Sequence, residues 1–176
     1  MSIVLYSGMA GTTLMPDAQD LYEADFVRWS EDQASALRSA GSSGANLPLD
    51  WEHLAEEIDS LGKSLRSELR NRCATIIEHL LKLSISPADG PRSGWIGTIE
   101  RERVDVELLL RDNPSLRTGL SATIDDALAK AKRVASINLR EHDEWTPEVP
   151  SLLKVAEFGI EEVLGPWLPP AGARDT

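Results

Sequence analysis

The sequence is poor in cysteine and histidine. Its single cysteine, Cys73, excludes a disulfide within the chain and favours a reducing compartment. The three histidines, His53, His79 and His142, are too far apart to form a short metal-ligand motif. A nucleophile elbow and a phosphate-binding loop are missing as well. We therefore expect a cytoplasmic protein, and the motifs predict no metal and no cofactor and identify no catalytic residue.

Basic residues are also scarce, because the chain has 18 Lys and Arg but 29 Asp and Glu, and its net charge is −11. An acidic chain repels phosphate groups, so we expect no nucleic-acid partner and no membrane partner. Residues 1–16 are uncharged but too rich in Ser, Gly and Thr for a membrane span or a signal core. We expect residues 1–19 to form a flexible N-terminal arm, residues 20–168 a single domain and residues 169–176 a C-terminal tail.

The most prominent feature present is one very long helical pattern over residues 51–86, which lack proline. Apolar side chains recur there every three or four positions, at Leu54, Ile58, Leu61, Leu65, Leu69, Cys73, Ile76, Leu80 and Leu83. This spacing predicts a single amphipathic helix of roughly 50 Å, along which shorter helices pack. Asp50 is its predicted N-cap. Gly62 lies on the apolar side, which predicts that a crossing helix approaches closely there.

Similar periodicity predicts further helices over residues 21–40, 95–112 and 114–140, and a short C-terminal helix over residues 152–164. Serine and glycine end the first of these helices, and prolines separate the others. The predicted fold class is therefore all-α, a helical bundle of about four main helices built along the long central helix.

One flank of the long helix carries a row of polar residues. Arg72 lies close to the apolar stripe, so its guanidinium needs a partner, and Glu68 one turn earlier is the local candidate. The third helix supplies Glu102 on its inward face and Arg103 at the edge of that face. We predict a buried network that joins Arg72, His79, Glu102 and Arg103. The candidate site residues are Glu57, Glu68, Arg72, His79, Glu102 and Arg103.

This polar seam has two interpretations. Buried polar groups in helical bundles often fix the register of the helices and add little net stability. Alternatively, Glu57, His79 and Glu102 line a metal or substrate pocket between the second and third helices, because inward carboxylates and histidines build such sites in bundles. The paired Glu-x-x-His motifs of di-iron bundles are absent from the sequence, which favours the structural role.

Several blocks of the sequence resemble the bacterial family called domain of unknown function 29. The opening match comprises Tyr22, Asp25, Phe26, Trp29 and Gln33. Residues 51–62 resemble the signature of that family, and the match continues at residues 79–82, Ile99, Arg103 and residues 114–116. The resemblance implies an all-helical soluble domain with no established activity, cofactor or catalytic residue.

Two kinds of function are compatible with these features. We favour a protein-interaction or scaffold module with an acidic surface, whose partner is another protein or a second copy of the chain. Val104 and Leu108 support this choice, because they point away from the inward face of the third helix. The alternative is a ligand-binding protein, a metal-binding protein or an enzyme that uses the polar seam between the second and third helices.

Overall fold

The computed structural model describes residues 18–44 and 47–170. These residues form seven α-helices and one 3₁₀ turn, and no strand occurs among them. The elements are α1 (Ala18–Ala24), α2 (Phe26–Ser42), α3 (Trp51–Ile85), α4 (Arg92–Asp112), the 3₁₀ turn (Pro114–Arg117), α5 (Leu120–Glu141), α6 (Val149–Val155) and α7 (Ile160–Leu164). None of the helices in this part of the chain is long and apolar enough to cross a membrane.

The predicted arm and tail fall mostly on residues outside this description. Residues 1–17 and 171–176 are not among the described residues. Helix α1 begins at Ala18, which is inside the predicted arm. Pro169, the first residue of the predicted tail, is buried.

The long helix α3 is the centre of the fold, as the apolar periodicity predicts. It begins where the Asp50 carboxylate accepts a hydrogen bond from the backbone N–H of His53 at 3.2 Å, and it ends at Ile85. Helices α2, α4 and α5 all pack against it. Its largest fully buried side chains are Leu69, Ile76, Ile77, Leu80 and Leu81. The prediction of an all-α bundle along one long helix is confirmed.

Small residues allow α2 to cross the first half of α3 closely. A Cβ atom at the buried Gly62 would collide with the Ser30 hydroxyl of α2, so the predicted close approach is confirmed. Ala55, two turns earlier, is also fully buried. By contrast, the apolar spacing predicts that Leu54 and Leu61 are buried, but they are 40% and 48% exposed. The small residues, and not these leucines, provide the buried surface of this half of α3.

The prediction of one continuous helix over residues 21–40 is wrong in one respect. Asp25 divides this part of the chain into α1 and α2. The Asp25 carboxylate accepts a hydrogen bond from the backbone N–H of Arg28 at 2.9 Å and so caps α2. The same carboxylate accepts hydrogen bonds from the backbone N–H and the hydroxyl of Ser115, at 2.6 and 2.8 Å. Ser115 lies 90 positions further along the chain, so the local periodicity contains no sign of this break.

Three other boundaries differ from the predictions. Helix α4 begins at Arg92, three residues earlier than predicted. The predicted helix over residues 114–140 is a 3₁₀ turn followed by α5, and Gly119 between them has a φ of 78°, which favours glycine. The predicted helix over residues 152–164 is two short helices, α6 and α7, because the backbone is extended at Ala156.

Candidate functional site

Arg72 joins α3 to α4 through carboxylates of both helices. Its guanidinium donates to Glu68 Oε1 and to Glu102 Oε2, each at 3.0 Å, which confirms these two predicted contacts. It also donates to Asp105 Oδ2 at 2.6 Å, a contact that the sequence analysis missed. Burial alone would lower the pKa of Arg72, but the hydrogen bonds to Glu68 and Glu102 outweigh burial and raise it.

An open cleft of about 590 Å³ lies beside this arginine. Besides Arg72 and its two glutamates, its walls comprise Lys63, Ser64, Ser67, Asn71 and Thr75. The cleft is wide, and the charged groups around Arg72 are already paired with one another. A ligand would gain little binding free energy there, because solvent reaches the same groups and screens their charges. The Arg72 cluster is therefore a polar link between two helices.

Arg103 lies on a different side of α4 and is 8% exposed. Its guanidinium donates to main-chain oxygens of the C-terminal segment, those of Glu162 and Val163 at 2.9 Å and that of Trp167 at 2.8 Å. Burial lowers the pKa of Arg103, and its carboxylate partner, Glu100, is 3.2 Å away and mostly exposed. Arg103 therefore anchors the C-terminal segment to α4.

The predicted network of Arg72, His79, Glu102 and Arg103 is wrong as a single unit. Adjacent residues on a helix project about 100° apart, so Glu102 faces Arg72 whereas Arg103 faces the C-terminal segment. His79 is half-buried, and its Nδ1 lies 2.9 Å from the carbonyl oxygen of Thr75. Burial lowers the pKa of His79, and a neutral imidazole that donates to Thr75 satisfies this geometry.

Glu57, the remaining predicted site residue, has an exposed side chain in the first half of α3. It lies about 22 Å from Arg72 along the helix axis. The structure therefore brings together three of the six predicted site residues, Glu68, Arg72 and Glu102. Glu57 and Arg103 lie apart from this cluster. His79 interacts electrostatically with Glu102, but its hydrogen bond is to the carbonyl oxygen of Thr75 and not to the cluster.

A second polar cluster, which the sequence analysis missed, lies near the end of α3. Lys82 Nζ is 2.9 Å from Glu78 Oε1, and their side chains are only 12% and 14% exposed. The side-chain amide of Asn138 in α5 donates to the same glutamate oxygen at 2.8 Å. The Lys82 ammonium also lies 5.3 Å from the ring centre of Trp95. The available signal was an acid and a base four residues apart, each next to a buried apolar residue.

The outward side of α4 carries exposed apolar residues, as its helical spacing predicts. Val104 and Leu108 are 55% and 40% exposed. Four exposed charged residues flank them, and we call this set of six the α4 face: Val104, Leu108, Glu100, Arg101, Arg111 and Asp112. An adjoining cleft of about 440 Å³ has Val104, Ile160 and Leu164 in its walls. This surface joins α4 to the anchored C-terminal segment.

Cys73 is fully buried, and desolvation raises the pKa of its thiol to about 11. The thiol therefore stays protonated and unreactive at neutral pH. In residues 18–44 and 47–170, no group of three His, Cys, Asp or Glu side chains is arranged to hold a metal ion.

These features define an all-helical bundle domain whose central helix carries two separate polar clusters. The model of the family described as "Domain of unknown function DUF29" matches residues 21–165. The chain belongs to this family, which confirms the resemblance seen in the sequence. It is also similar to a solved alpha-helical protein of unknown function from Rhodospirillum rubrum, with 28% identity and a TM-score of 0.61 over 81% of this chain and 88% of that chain. No curated protein matches the sequence.

Proposed function

We propose that this domain is a protein-interaction module that pairs with a second copy of the same chain through the α4 face. The observation that carries the proposal is an exposed apolar pair flanked by charges of both signs. Val104 and Leu108 are more exposed than core residues of their type, and pairing with another helix would bury both.

The charges at the edges of the α4 face are balanced. On a helix with about 100° per residue, Glu100 and Arg111 lie on one edge and Arg101 and Asp112 on the other, all within roughly 60° of its centre. These four charges sum to zero, whereas the whole chain has a net charge of −11. Two copies that meet at this face therefore avoid the repulsion that the overall charge would otherwise produce.

An antiparallel arrangement matches these residues. A two-fold axis midway between Val104 and Leu108 places Val104 of one copy opposite Leu108 of the second copy. The same axis brings equal edges together, so Glu100 faces Arg111 of the second copy and Arg101 faces Asp112 of the second copy. Within one chain Glu100 lies 3.2 Å from Arg103 and Arg111 lies 2.9 Å from Asp112, so these pairs would exchange or share partners when the copies meet. A parallel arrangement also pairs opposite charges, but antiparallel helices align their dipoles favourably. The antiparallel arrangement is therefore the one we propose.

Sedimentation equilibrium tests the pairing. We expect a dimer with a Kd on the order of 10 μM, because a contact built on one helix face is small. Replacing Val104→Ser and Leu108→Ser together should weaken association by about tenfold or more, without changing the monomer's Tm, because both side chains are exposed. Ile137→Ser is the matched control, since Ile137 is 46% exposed on α5. A wild-type chain that remains monomeric up to roughly 200 μM would contradict the proposal.

Introduced cysteines test the direction of the helices. In an antiparallel pair, an oxidised mixture of Val104→Cys and Leu108→Cys chains should form mixed disulfide dimers faster than either variant alone. In a parallel pair, each variant would cross-link to itself. Cys73 does not interfere, because its buried thiol has a pKa raised to about 11. Faster cross-linking of the single variants would refute the antiparallel arrangement. It would not refute the pairing, which sedimentation equilibrium tests separately.

A further inference from the structure

A largely enclosed cavity of about 170 Å³ lies where the ends of α3 and α5 meet the start of α4. Its walls include Lys82, Trp95, Asn138, Leu139, His142 and Glu144. A cavity of about 150 Å³ is known to hold one benzene ring, so this cavity has room for one six-membered ring. It is too small for drug-sized ligands, which occupy pockets of about 300 Å³ or more.

Lys82 supplies a hydrogen-bond donor to this cavity. Its ammonium has three N–H groups, and among the described residues only Glu78 accepts one of them, at 2.9 Å. The ring of Trp95 faces the same cation at 5.3 Å. At least one N–H group therefore remains for an acceptor on a bound molecule. Because the Lys82 side chain is only 12% exposed, water competes weakly for that position.

Acceptors and apolar surfaces complete the site. Asn138 uses its amide N–H to donate to Glu78 at 2.8 Å, which leaves its side-chain carbonyl oxygen as an acceptor. The Glu144 carboxylate is a second acceptor in the wall. Trp95 and Leu139 supply apolar surface against which a flat ring can pack. A molecule that fills the cavity must therefore combine a ring with both an acceptor and a donor.

The charges and the hydrogen-bonding groups of the wall together favour a neutral molecule. Glu78 already neutralises Lys82, so Glu144 would repel a bound anion, and a carboxylate also has no N–H group to donate to Asn138 or Glu144. A bound ammonium would be attracted to Glu144 but offers no acceptor to Lys82, whose remaining N–H group would stay unpaired. We infer that this cavity binds a small neutral aromatic or heteroaromatic carboxamide. The carbonyl oxygen of its amide accepts from Lys82, and the amide N–H donates to Asn138 or Glu144 while the ring packs against Trp95.

Nuclear magnetic resonance of the tryptophan indole N–H signals tests this inference with three probes of similar size, namely benzamide, benzoate and benzylamine. The Trp95 signal is assigned by its loss in Trp95→Phe. We expect benzamide to shift this signal saturably, with an affinity about fivefold or more above those of the charged probes. The signal of Trp51, about 45 Å away along α3, should not move. Absence of a saturable shift at Trp95, or equal binding of all three probes, would overturn the inference.

A paired substitution tests the role of Lys82. Replacing Glu78→Gln and Lys82→Met together removes both charges without leaving one of them buried and unpaired. We expect benzamide to bind this variant about fivefold more weakly, whereas Lys154→Met on the exposed side of α6 should bind it normally. Unchanged binding by a folded double variant would contradict the proposed contact. The comparison of probes on the wild-type chain decides the inference independently of whether this variant folds.

Discussion

Arg72 and Arg103 are both desolvated arginines on packed helices, but their partners differ in kind. The side chain of Arg72 contacts three carboxylates and remains 28% exposed. That of Arg103 is 7% exposed and donates to three main-chain oxygens, with one carboxylate, that of the exposed Glu100, beside them. Burial opposes the charge of both, yet the pKa of Arg72 is raised and that of Arg103 is lowered. The contrast shows that the charge of its partners, more than the number of its hydrogen bonds, decides whether the pKa of a buried arginine is raised or lowered. Arg72 links two helices electrostatically, and Arg103 positions a length of backbone.

The largest expected effect is that of Arg103→Met. The substitution leaves the carbonyl oxygens of Glu162, Val163 and Trp167 without their donor, so we expect the free energy of unfolding to fall by about 3 kcal/mol. Urea unfolding measures this loss. Arg103→Lys, which keeps the charge but not the fork of donors, should recover only part of it. A loss below roughly 1 kcal/mol would show that the C-terminal segment docks without this anchor.

Arg72→Met should have a smaller effect, about 1 kcal/mol, because solvent reaches its cluster and screens the carboxylates left behind. The same urea titration measures it. Arg66→Met is a suitable control, since Arg66 also bridges two helices, through Glu31, but is more exposed. If Arg72→Met destabilised the protein as much as Arg103→Met, the distinction between the two arginines would be lost.

The single contact between Arg72 and Asp105 should contribute still less to the free energy of unfolding than Arg72 as a whole. We expect Asp105→Asn to cost about 0.5 kcal/mol in the wild type and almost nothing in the Arg72→Met background. A double-mutant cycle from four unfolding curves gives this coupling energy. Equal costs in both backgrounds would mean that the 2.6 Å contact does not contribute to stability in solution.

The smallest effect is the pH dependence contributed by His79, beside these clusters. Burial lowers its pKa below 6.5 in the folded protein, so the unfolded chain binds a proton more readily. Stability should therefore fall as the pH drops below 6.5 and level off below the folded pKa, and His79→Gln should flatten this part of the curve. The hydrogen bond to Asp50 raises the pKa of the exposed His53, so His53→Gln should have the opposite sign and steepen the fall. Curves that are parallel for all three proteins would exclude both contributions.

The sequence is enough to predict the features of this fold that depend on local pattern. The apolar period defines α3 to within one residue at its C-terminal end, and the Asp50 cap and the packing at Gly62 follow from residue type and position. The contacts of Arg72 with Glu68 and Glu102 were also predictable, because one partner is four residues away and the other lies on an inward helix face.

The parts that could not be predicted depend on partners far along the chain. At the break, Asp25 accepts hydrogen bonds from Ser115, 90 positions away, as well as from Arg28, and Arg103 contacts a segment that extends to Trp167, 64 positions away. Helical spacing gives the direction of a side chain relative to its own helix but not the identity of the element that lies opposite. The predicted network failed for this reason, since Glu102 and Arg103 are neighbours in sequence and face different elements.

The anchor at Arg103 has a consequence for how the C-terminal segment can change. In the described part of the C-terminal segment, Arg103 contacts the peptide carbonyls at positions 162, 163 and 167, and every amino acid carries the same carbonyl. Replacing the exposed ring of Trp167 therefore leaves the attachment chemistry intact, provided that the backbone keeps its path. The Glu162 side chain is less free to change, because its carboxylate accepts a hydrogen bond from the backbone N–H of Gly159 at 2.7 Å and so caps α7. The side chains of the segment beside the α4 face can therefore change, and with them what the segment binds. Arg103 keeps the backbone of the segment attached to the bundle throughout.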